Sequence, residues 1–228
     1  MVNYDVSLKL NKRKSVTGGQ VIFHSCLIVS ILSVVYLLFT FTSEESTLSL
    51  IQCVLGIAAL YIPMLVTKFT GIKLPETLCS FFYIFILCAT VLGEVFALYY
   101  AVPIWDSLLH FGSGIMAGMF GGILMVNYFQ KKKCVNLISP MFIAVSIVCF
   151  AVTIGAVWEI YEFTADSLLG LNMQKFMIQD GTELIGQTAL TDTMKDIIID
   201  IAGAITAAVS SYSSLKQKKG WLYKYNSF

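Results

Sequence analysis

The chain has 228 residues, of which 57% are hydrophobic and only 13% charged, and its mean hydropathy is +0.78. Soluble domains carry about 25% charged residues, so this composition favours a membrane protein. The net charge of +1 and the absence of a long basic stripe argue against a nucleic-acid-binding surface, so we expect no nucleic-acid partner. The six cysteines form no CxxC pair, which is typical of small hydrophobic residues rather than of a disulfide framework or a zinc site.

Six apolar stretches are long enough to cross a bilayer, which takes about 20 helical residues. They predict an all-α membrane protein, a bundle of six transmembrane helices, at approximately 21–41, 48–67, 77–99, 104–129, 137–163 and 192–213. The first stretch is longer than the ~7–15 apolar residues of a signal peptide and lacks a small-x-small cleavage site, so we interpret it as a retained helix. The predicted division is a cytoplasmic segment 1–20, a six-helix domain 21–213 with an outer loop 164–191, and a basic cytoplasmic tail 214–228.

Basic residues mark one side of this bundle. Thirteen of the 15 lie before the first helix, after the sixth, or in the connections between helices two and three and between helices four and five. In the remaining connections Lys175 is the only base, and Lys195 lies just inside the sixth helix. The positive-inside rule therefore predicts that both termini are cytoplasmic.

Acidic and histidine side chains converge on the opposite, outer half. Each of the last four predicted helices contributes at least one of them: Glu94; Asp106 and His110; Glu159, Glu162 and Asp166; and Asp192, Asp196 and Asp200. Their spacing of three or four residues places them on single helix stripes, and small residues such as Gly114, Gly118, Ala204 and Ala208 continue those stripes deeper. Because small residues let membrane helices approach closely, we expect tight packing below an acid-lined cavity that opens outward.

The negative charge of such a cluster must be offset, because a charge at the bilayer centre costs at least ~2.5–3.5 kcal/mol on insertion scales. A divalent metal ion would offset it, with carboxylates and one imidazole as ligands. The candidate ligands are Asp106, His110, Glu159, Glu162, Asp192, Asp196 and Asp200, and Glu94 or Asp166 is the candidate catalytic base. Water and shared protons are the alternative. Asp106 and Asp192 also suit helix caps, Asp166 suits a solvent position beyond the fifth helix, and no standard motif such as HExxH is present.

Three segments carry a resemblance to a known family: "WDSLLHFGSG", "GAVWEIYEFTAD" and "LTDTMKDIIIDIAGA". With them the chain resembles the YjdF-type family of bacterial inner-membrane proteins, over helices three to six. The resemblance implies a multi-pass protein of a bacterial plasma membrane and functional importance for the acids and histidine in those segments. It supplies no reaction.

Three functions follow from these observations. The first is a divalent-metal-dependent enzyme that acts on a lipid or lipid-linked substrate at the outer leaflet. The second is a cation or proton-coupled transporter, since intramembrane acids commonly mark ion paths. The third is a non-catalytic membrane partner protein whose acids form a buried hydrogen-bond network. The sequence leaves the metal, the substrate and the oligomeric state open.

Overall fold

A computed structural model describes residues 16–40, 44–134, 137–178 and 180–226. The basic residues Lys9, Lys12, Arg13 and Lys14, which the topology prediction uses, lie outside this part of the chain. Within it, the structure is helical apart from its connections and one isolated β-bridge between Met177 and Glu183. The helices are α1 (Gly18–Thr40), α2 (Glu44–Ala59), α3 (Ile62–Thr70), α4 (Glu76–Leu87), α5 (Leu98–Ala101), α6 (Trp105–Lys131), α7 (Pro140–Leu169), α8 (Thr191–Lys216) and α9 (Trp221–Asn226).

In the described part of the chain, six helical spans are long and apolar enough to cross a membrane, which confirms the number predicted from the sequence. They are α1, α2 with α3, α4 with a π-helical segment Cys88–Val95, α6, α7, and α8 with a preceding 3₁₀ segment Gly186–Leu190. The fourth, fifth and sixth predicted helices therefore correspond to α6, α7 and α8.

Close contacts between backbones hold α6 against α8. A Cβ atom at Gly114 would collide with the carbonyl oxygen of Asp200, and one at Gly203 would collide with the carbonyl oxygen of Phe111. One helical turn further on, a Cβ at Gly118 would lie 2.8 Å from the Cβ of Ala207. The small-residue stripes thus form the α6–α8 interface, as the sequence suggested.

The helix directions follow from these contacts. Residue numbers at the contacts increase in the same direction along α6 and α8, from Gly114 with Asp200 to Gly118 with Ala207, so the two helices are parallel. Helix α7 is antiparallel to them, since Gly155 faces Asp200 whereas Ile147 faces Gly118. The starts of α6 and α8 and the end of α7 therefore meet at one end of the bundle.

The remaining spans pack beside this three-helix core. Ile72 and Leu78 share a hydrophobic cluster with Val126 and Leu222, which joins the start of α4 to the end of α6 and to α9, the helix that follows α8. The backbone N–H of Gly19, at the start of α1, donates to the Glu76 carboxylate. The start of α1 and the end of α8 consequently lie at the same end of the bundle, opposite the starts of α6 and α8.

Two predicted boundaries differ from the structure. The third predicted helix, 77–99, ends early, because Val95 closes the π-helical segment and Ala97 adopts a left-handed conformation with φ 55°. The fifth, 137–163, continues to Leu169, where Gly170 ends it with φ 66°. The outer loop 164–191 is correspondingly shorter, and Asp166 is helical and buried rather than in solvent.

Candidate functional site

His110 lies at the centre of a group of carboxylates contributed by α6 and α8. Its Nε2 atom lies 3.7 Å from Asp106 Oδ1 and 3.8 Å from Asp196 Oδ2. Its Nδ1 atom lies 3.4 Å from Asp200 Oδ2. Each ring nitrogen therefore faces carboxylate oxygen, and the imidazole is fixed in orientation between the two parallel helices.

Asp200 has partners on both of its oxygens. Oδ2 faces His110, and Oδ1 accepts a hydrogen bond of 2.8 Å from the Ser113 hydroxyl. A Cβ at Gly155 of α7 would collide with this carboxylate. The glycine leaves the space in which Asp200 can sit, so the small-residue stripe of α7 shapes the site as well as the helix packing.

Several carboxylate oxygens at this end are buried without a hydrogen bond among the described residues. They are Asp196 Oδ1, Asp192 Oδ2 and both oxygens of Glu159. Asp196 is 1% exposed and Glu159 is 5% exposed. Gln174 and Thr193 are polar neighbours of the Glu159 carboxylate. Buried polar atoms in proteins nearly always have a partner, so Asp196 Oδ1 and Asp192 Oδ2 are the oxygens that suit a further ligand.

Lys175 reaches this group from the connection between α7 and α8. Its Nζ atom forms an ion pair with Asp106 Oδ2 and another, at 3.1 Å, with Asp192 Oδ1. Burial alone would lower the pKa of Lys175, but the hydrogen bond and charge of Asp106, together with Asp192, raise it above its ordinary value. The ammonium group therefore stays charged, and two carboxylates share its single positive charge.

The backbone around Lys175 is held in an uncommon conformation. Lys175 itself has φ 48°, in the left-handed region that side-chain-bearing residues seldom adopt. Asp166 accepts hydrogen bonds from the backbone N–H groups of Met173 and Gln174, at 2.7 and 3.0 Å. Asn172 brackets the turn from the other side by bonding to both the N–H and the carbonyl of Met177. We call residues 170–178 the closing loop, because these bonds fold it over the polar end of the bundle.

Tyr99 and Glu162 extend the site toward the π-helical segment. The Trp158 indole donates a hydrogen bond of 2.8 Å to Glu162 Oε1. Burial, with the charges of Glu94, Asp106 and Glu162, raises the pKa of Tyr99, so the phenol stays protonated. A Cβ at Gly93 would collide with the Tyr99 ring, so this glycine lets the ring fold back against the helix. Gln52 is a polar neighbour of Glu94.

The seven predicted metal ligands lie at the same end of α6, α7 and α8. Asp106, His110 and Asp196 form the tightest group, with one ligand atom from each within 4.8 Å of the others. Asp106 and Asp192 occupy the first turns of their helices, and neither helix start has a side-chain cap. The expected open cavity is closed, because His110, Asp196 and Asp200 are buried and Lys175 lies over Asp106 and Asp192.

Sequence reasoning did not single out Lys175, Ser113, Gln174 or Tyr99. Lys175 had a signal, since it is the only basic residue in its connection. Ser113 follows His110 by three residues, which places it on the same helix stripe. Nothing in the sequence indicated that Tyr99 would fold back over Gly93.

The fold and the site together define a multi-pass helical membrane protein with a buried histidine–aspartate cluster. The chain belongs to the DUF2238 family, described as a predicted membrane protein, whose sequence profile matches residues 24–217. This confirms the assignment to a family of multi-pass membrane proteins. The chain is similar to an "Uncharacterized protein" of Thermotoga maritima, with 27% identity over 161 residues that cover 70% of this chain and 74% of the relative. No solved structure matches.

Proposed function

We propose that this protein is a divalent-cation-dependent enzyme of a bacterial plasma membrane that acts on a lipid or lipid-linked substrate at the extracytoplasmic face. Both termini are cytoplasmic in this proposal, and the closing loop faces outward. The basic residues after α3, α6 and α8 support this orientation through the positive-inside rule.

The convergence of Asp106, His110 and Asp196 carries the proposal. Their ligand atoms lie within 4.8 Å of one another, a separation that one cation can bridge with small side-chain movements. Asp196 Oδ1 is buried without a hydrogen bond, as expected of a carboxylate that has a further ligand to bind. Carboxylate and imidazole donors together suit ions such as Mn²⁺, Fe²⁺ and Zn²⁺.

Asp200 has the role of orienting the imidazole in this mechanism. An Nδ1 proton directed at Asp200 leaves the Nε2 lone pair facing Asp106 and Asp196. Carboxylate partners of this kind fix the tautomer of a metal-binding histidine and raise its basicity. We therefore assign Asp200 to support of the ligand, and Ser113 to support of Asp200.

Glu159 is the side chain best placed as the general base. Both of its oxygens are buried, Gln174 and Thr193 are their polar neighbours, and its charge interacts with His110. Asp166, by contrast, uses its oxygens to hold the closing loop, and Glu94 lies in the π-helical segment outside α6, α7 and α8. A cation held by Asp106, His110 and Asp196 would supply an activated water as nucleophile, and the Glu159 carboxylate would accept a proton.

The packing below the site favours an enzyme over a transporter. Gly114 and Gly203 bring the α6 and α8 backbones into contact directly beneath Asp200. A path for ions between these helices would have to separate backbones that touch. Transport is the second candidate function, and its support is that intramembrane acids are typical of ion paths.

Elemental analysis of the purified full-length chain tests the proposal. After loading with Mn²⁺ or Zn²⁺ and removal of free ion, wild-type protein should retain about one ion per chain, and Asp196→Asn should retain at least about tenfold less. Asp180→Asn, in an exposed turn, is the matched control and should behave as wild type. Wild-type protein that retains no more metal than Asp196→Asn would contradict the metal site.

A second measurement separates an enzyme from a structural partner protein. Metal-loaded protein is incubated with a total bacterial lipid extract, and the products are followed by mass spectrometry. Glu159→Gln should keep the metal and lose every metal-dependent product, because only the base is removed. If a buried hydrogen-bond network were the sole role, wild-type protein would yield no products and Asp196→Asn would preserve the folded state and the biological phenotype.

A further inference from the structure

A groove lies between α6 and α7 at the end of the bundle opposite the closing loop. It has a volume of about 770 Å³, within the range of small-molecule binding sites. Its lining is mostly apolar, and small residues give it depth: Gly121 on α6, and Ser146 and Cys149 on α7. Phe150 packs directly over Gly121, where a Cβ would lie 2.7 Å from the Phe150 ring.

The length of the groove matches one leaflet of a bilayer. Its lining on α6 runs from Gly121 to Lys131, which at 1.5 Å per residue is about 15 Å. The hydrocarbon core of a bilayer is about 30 Å thick, so one leaflet contributes about 15 Å. A single acyl chain can therefore lie along the groove with its headgroup at the level of Lys131.

The chemistry of that end is cationic. Lys131 lines the groove, and Lys132 and Lys133 follow it as exposed residues. Ile72 also lines the groove, and its neighbour Lys73 is exposed. None of these four lysines forms an ion pair with a carboxylate among the described residues.

We propose that this groove is a binding site for one anionic glycerophospholipid of the surrounding bilayer. One acyl chain lies against Gly121, Ser146 and Cys149, and the headgroup phosphate is bound by Lys131 with help from its lysine neighbours. Clusters of lysine at a membrane surface bind anionic lipids, while the length of the groove fits a chain held in one leaflet. The site is separate from the polar cluster and does not depend on the function proposed for it.

Native mass spectrometry of the full-length chain in mixed micelles tests this site. The micelles contain phosphatidylglycerol and phosphatidylcholine with identical acyl chains, so that only the headgroup charge differs. Wild-type protein should retain phosphatidylglycerol at least about fivefold over phosphatidylcholine, the ratio that about one lysine contact provides. Ser146→Phe fills the groove and should reduce retention of both lipids.

A charge-matched pair of variants locates the headgroup. Replacing Lys131, Lys132 and Lys133 with Gln should remove the preference, whereas replacing Lys216, Lys218 and Lys219 with Gln removes equal charge at the same end of the bundle and should leave the preference intact. Equal retention of the two lipids by wild-type protein overturns the proposal, as does equal loss in both triple variants. If the first triple variant does not fold, wild-type selectivity and Ser146→Phe decide the matter, and unchanged retention in Ser146→Phe overturns the groove assignment.

Discussion

Lys175 sets the charge balance of the polar end at the scale of single residues. Its side chain is 40% exposed, yet its ammonium group contacts both Asp106 and Asp192 at the rim of the buried cluster. The two helix-start acids therefore have a partner that belongs to the protein itself. A cation bound by His110 and Asp196 would share Asp106 with this lysine.

Replacing Lys175 with Gln should destabilise the metal-free protein by about 1–2 kcal/mol, between the values for exposed and buried ion pairs. Asp106 and Asp192 then repel each other without compensation. Thermal unfolding in detergent would show a lower midpoint, and a divalent cation should restore most of the difference. Lys132→Gln, exposed at the opposite end, is the control and should leave the midpoint unchanged. Identical midpoints for Lys175→Gln and wild type would show that the ion pairs contribute nothing.

The sequence indicated the acids of this site far better than their partners. Charged residues inside apolar helices are conspicuous because they are costly, so Asp196, Asp200 and Glu159 could be selected from the pattern alone. Lys175 lies in a polar connection, where a lysine is not costly, so its only signal was that no other base is present there. Its position depends on backbone hydrogen bonds from Met173 and Gln174 to Asp166, and the sequence does not specify such bonds.

At the scale of helices and loops, glycine determines how near α6 comes to α8. Gly114 and Gly112 lie two residues apart on α6, and both are buried. Only Gly114 faces the α8 backbone; a Cβ at Gly112 would meet the Phe81 ring at an ordinary 3.6 Å. The two positions therefore form a matched pair.

Gly114→Ala should destabilise the protein by about 1–3 kcal/mol, because the helices must separate to admit the methyl group. Gly112→Ala should be neutral or slightly stabilising, since alanine has the higher helix propensity. Thermal unfolding measures both variants, and metal retention should fall only in Gly114→Ala, where the Asp200 carbonyl is displaced. Equal behaviour of the two variants would rule out backbone contact as the constraint.

Asp166 should control access to the closing loop. Asp166→Ala removes the acceptor of two backbone hydrogen bonds, so the peptide bond after Lys175 should become sensitive to trypsin. Asp180→Ala, in the exposed turn beyond this loop, should leave that bond as resistant as in wild type. Peptide mapping of a limited digest in detergent distinguishes this cleavage from cuts at the exposed lysines of the other end. Cleavage of wild type and Asp166→Ala at the same rate would contradict the bracing role.

Helix stripes were predictable because they repeat, whereas helix ends were not. Gly114, Gly118 and Ala204 recur at the spacing of one face, and the structure packs them as expected. The break at Ala97 has no glycine or proline at its own position to announce it, and the apolar sequence continues through it. Gly170 did indicate the end of α7. The residues before it mix apolar and polar types, so the predicted helix ended at residue 163 instead of Leu169.

For the whole molecule, the orientation in the membrane has a direct test. In a background without the six native cysteines, Asp180→Cys should react with a membrane-impermeant maleimide in intact cells. Lys132→Cys should react only after the membrane is permeabilised, since it lies at the opposite end. The reverse labelling pattern would place the polar cluster on the cytoplasmic side and would contradict the positive-inside interpretation.

The architecture of the bundle was accessible from hydropathy, but its closed polar end was not. Six spans follow from the length of each apolar stretch, and the structure confirms them. The polar end is closed by the closing loop, whose sequence mixes apolar and polar residues and predicts no particular conformation. It is also closed by the packing of α6 against α8, which hydropathy alone does not specify. The sequence pattern predicts an open cavity, whereas the structure buries His110, Asp196 and Asp200 and places Lys175 over Asp106 and Asp192; the roles of these residues stay predictions.

The parallel course of α6 and α8 has an electrostatic consequence. Both helices direct the positive ends of their macrodipoles at the polar cluster, so their first turns place a positive potential at the acids that occupy them. Asp106 and Asp192 lie in the first turns, where this potential is strongest. Unlike a bound ion or a lysine, peptide dipoles can be neither chelated nor titrated. The peptide groups of α6 and α8 therefore stabilise part of the acidic charge whether or not a metal ion is bound.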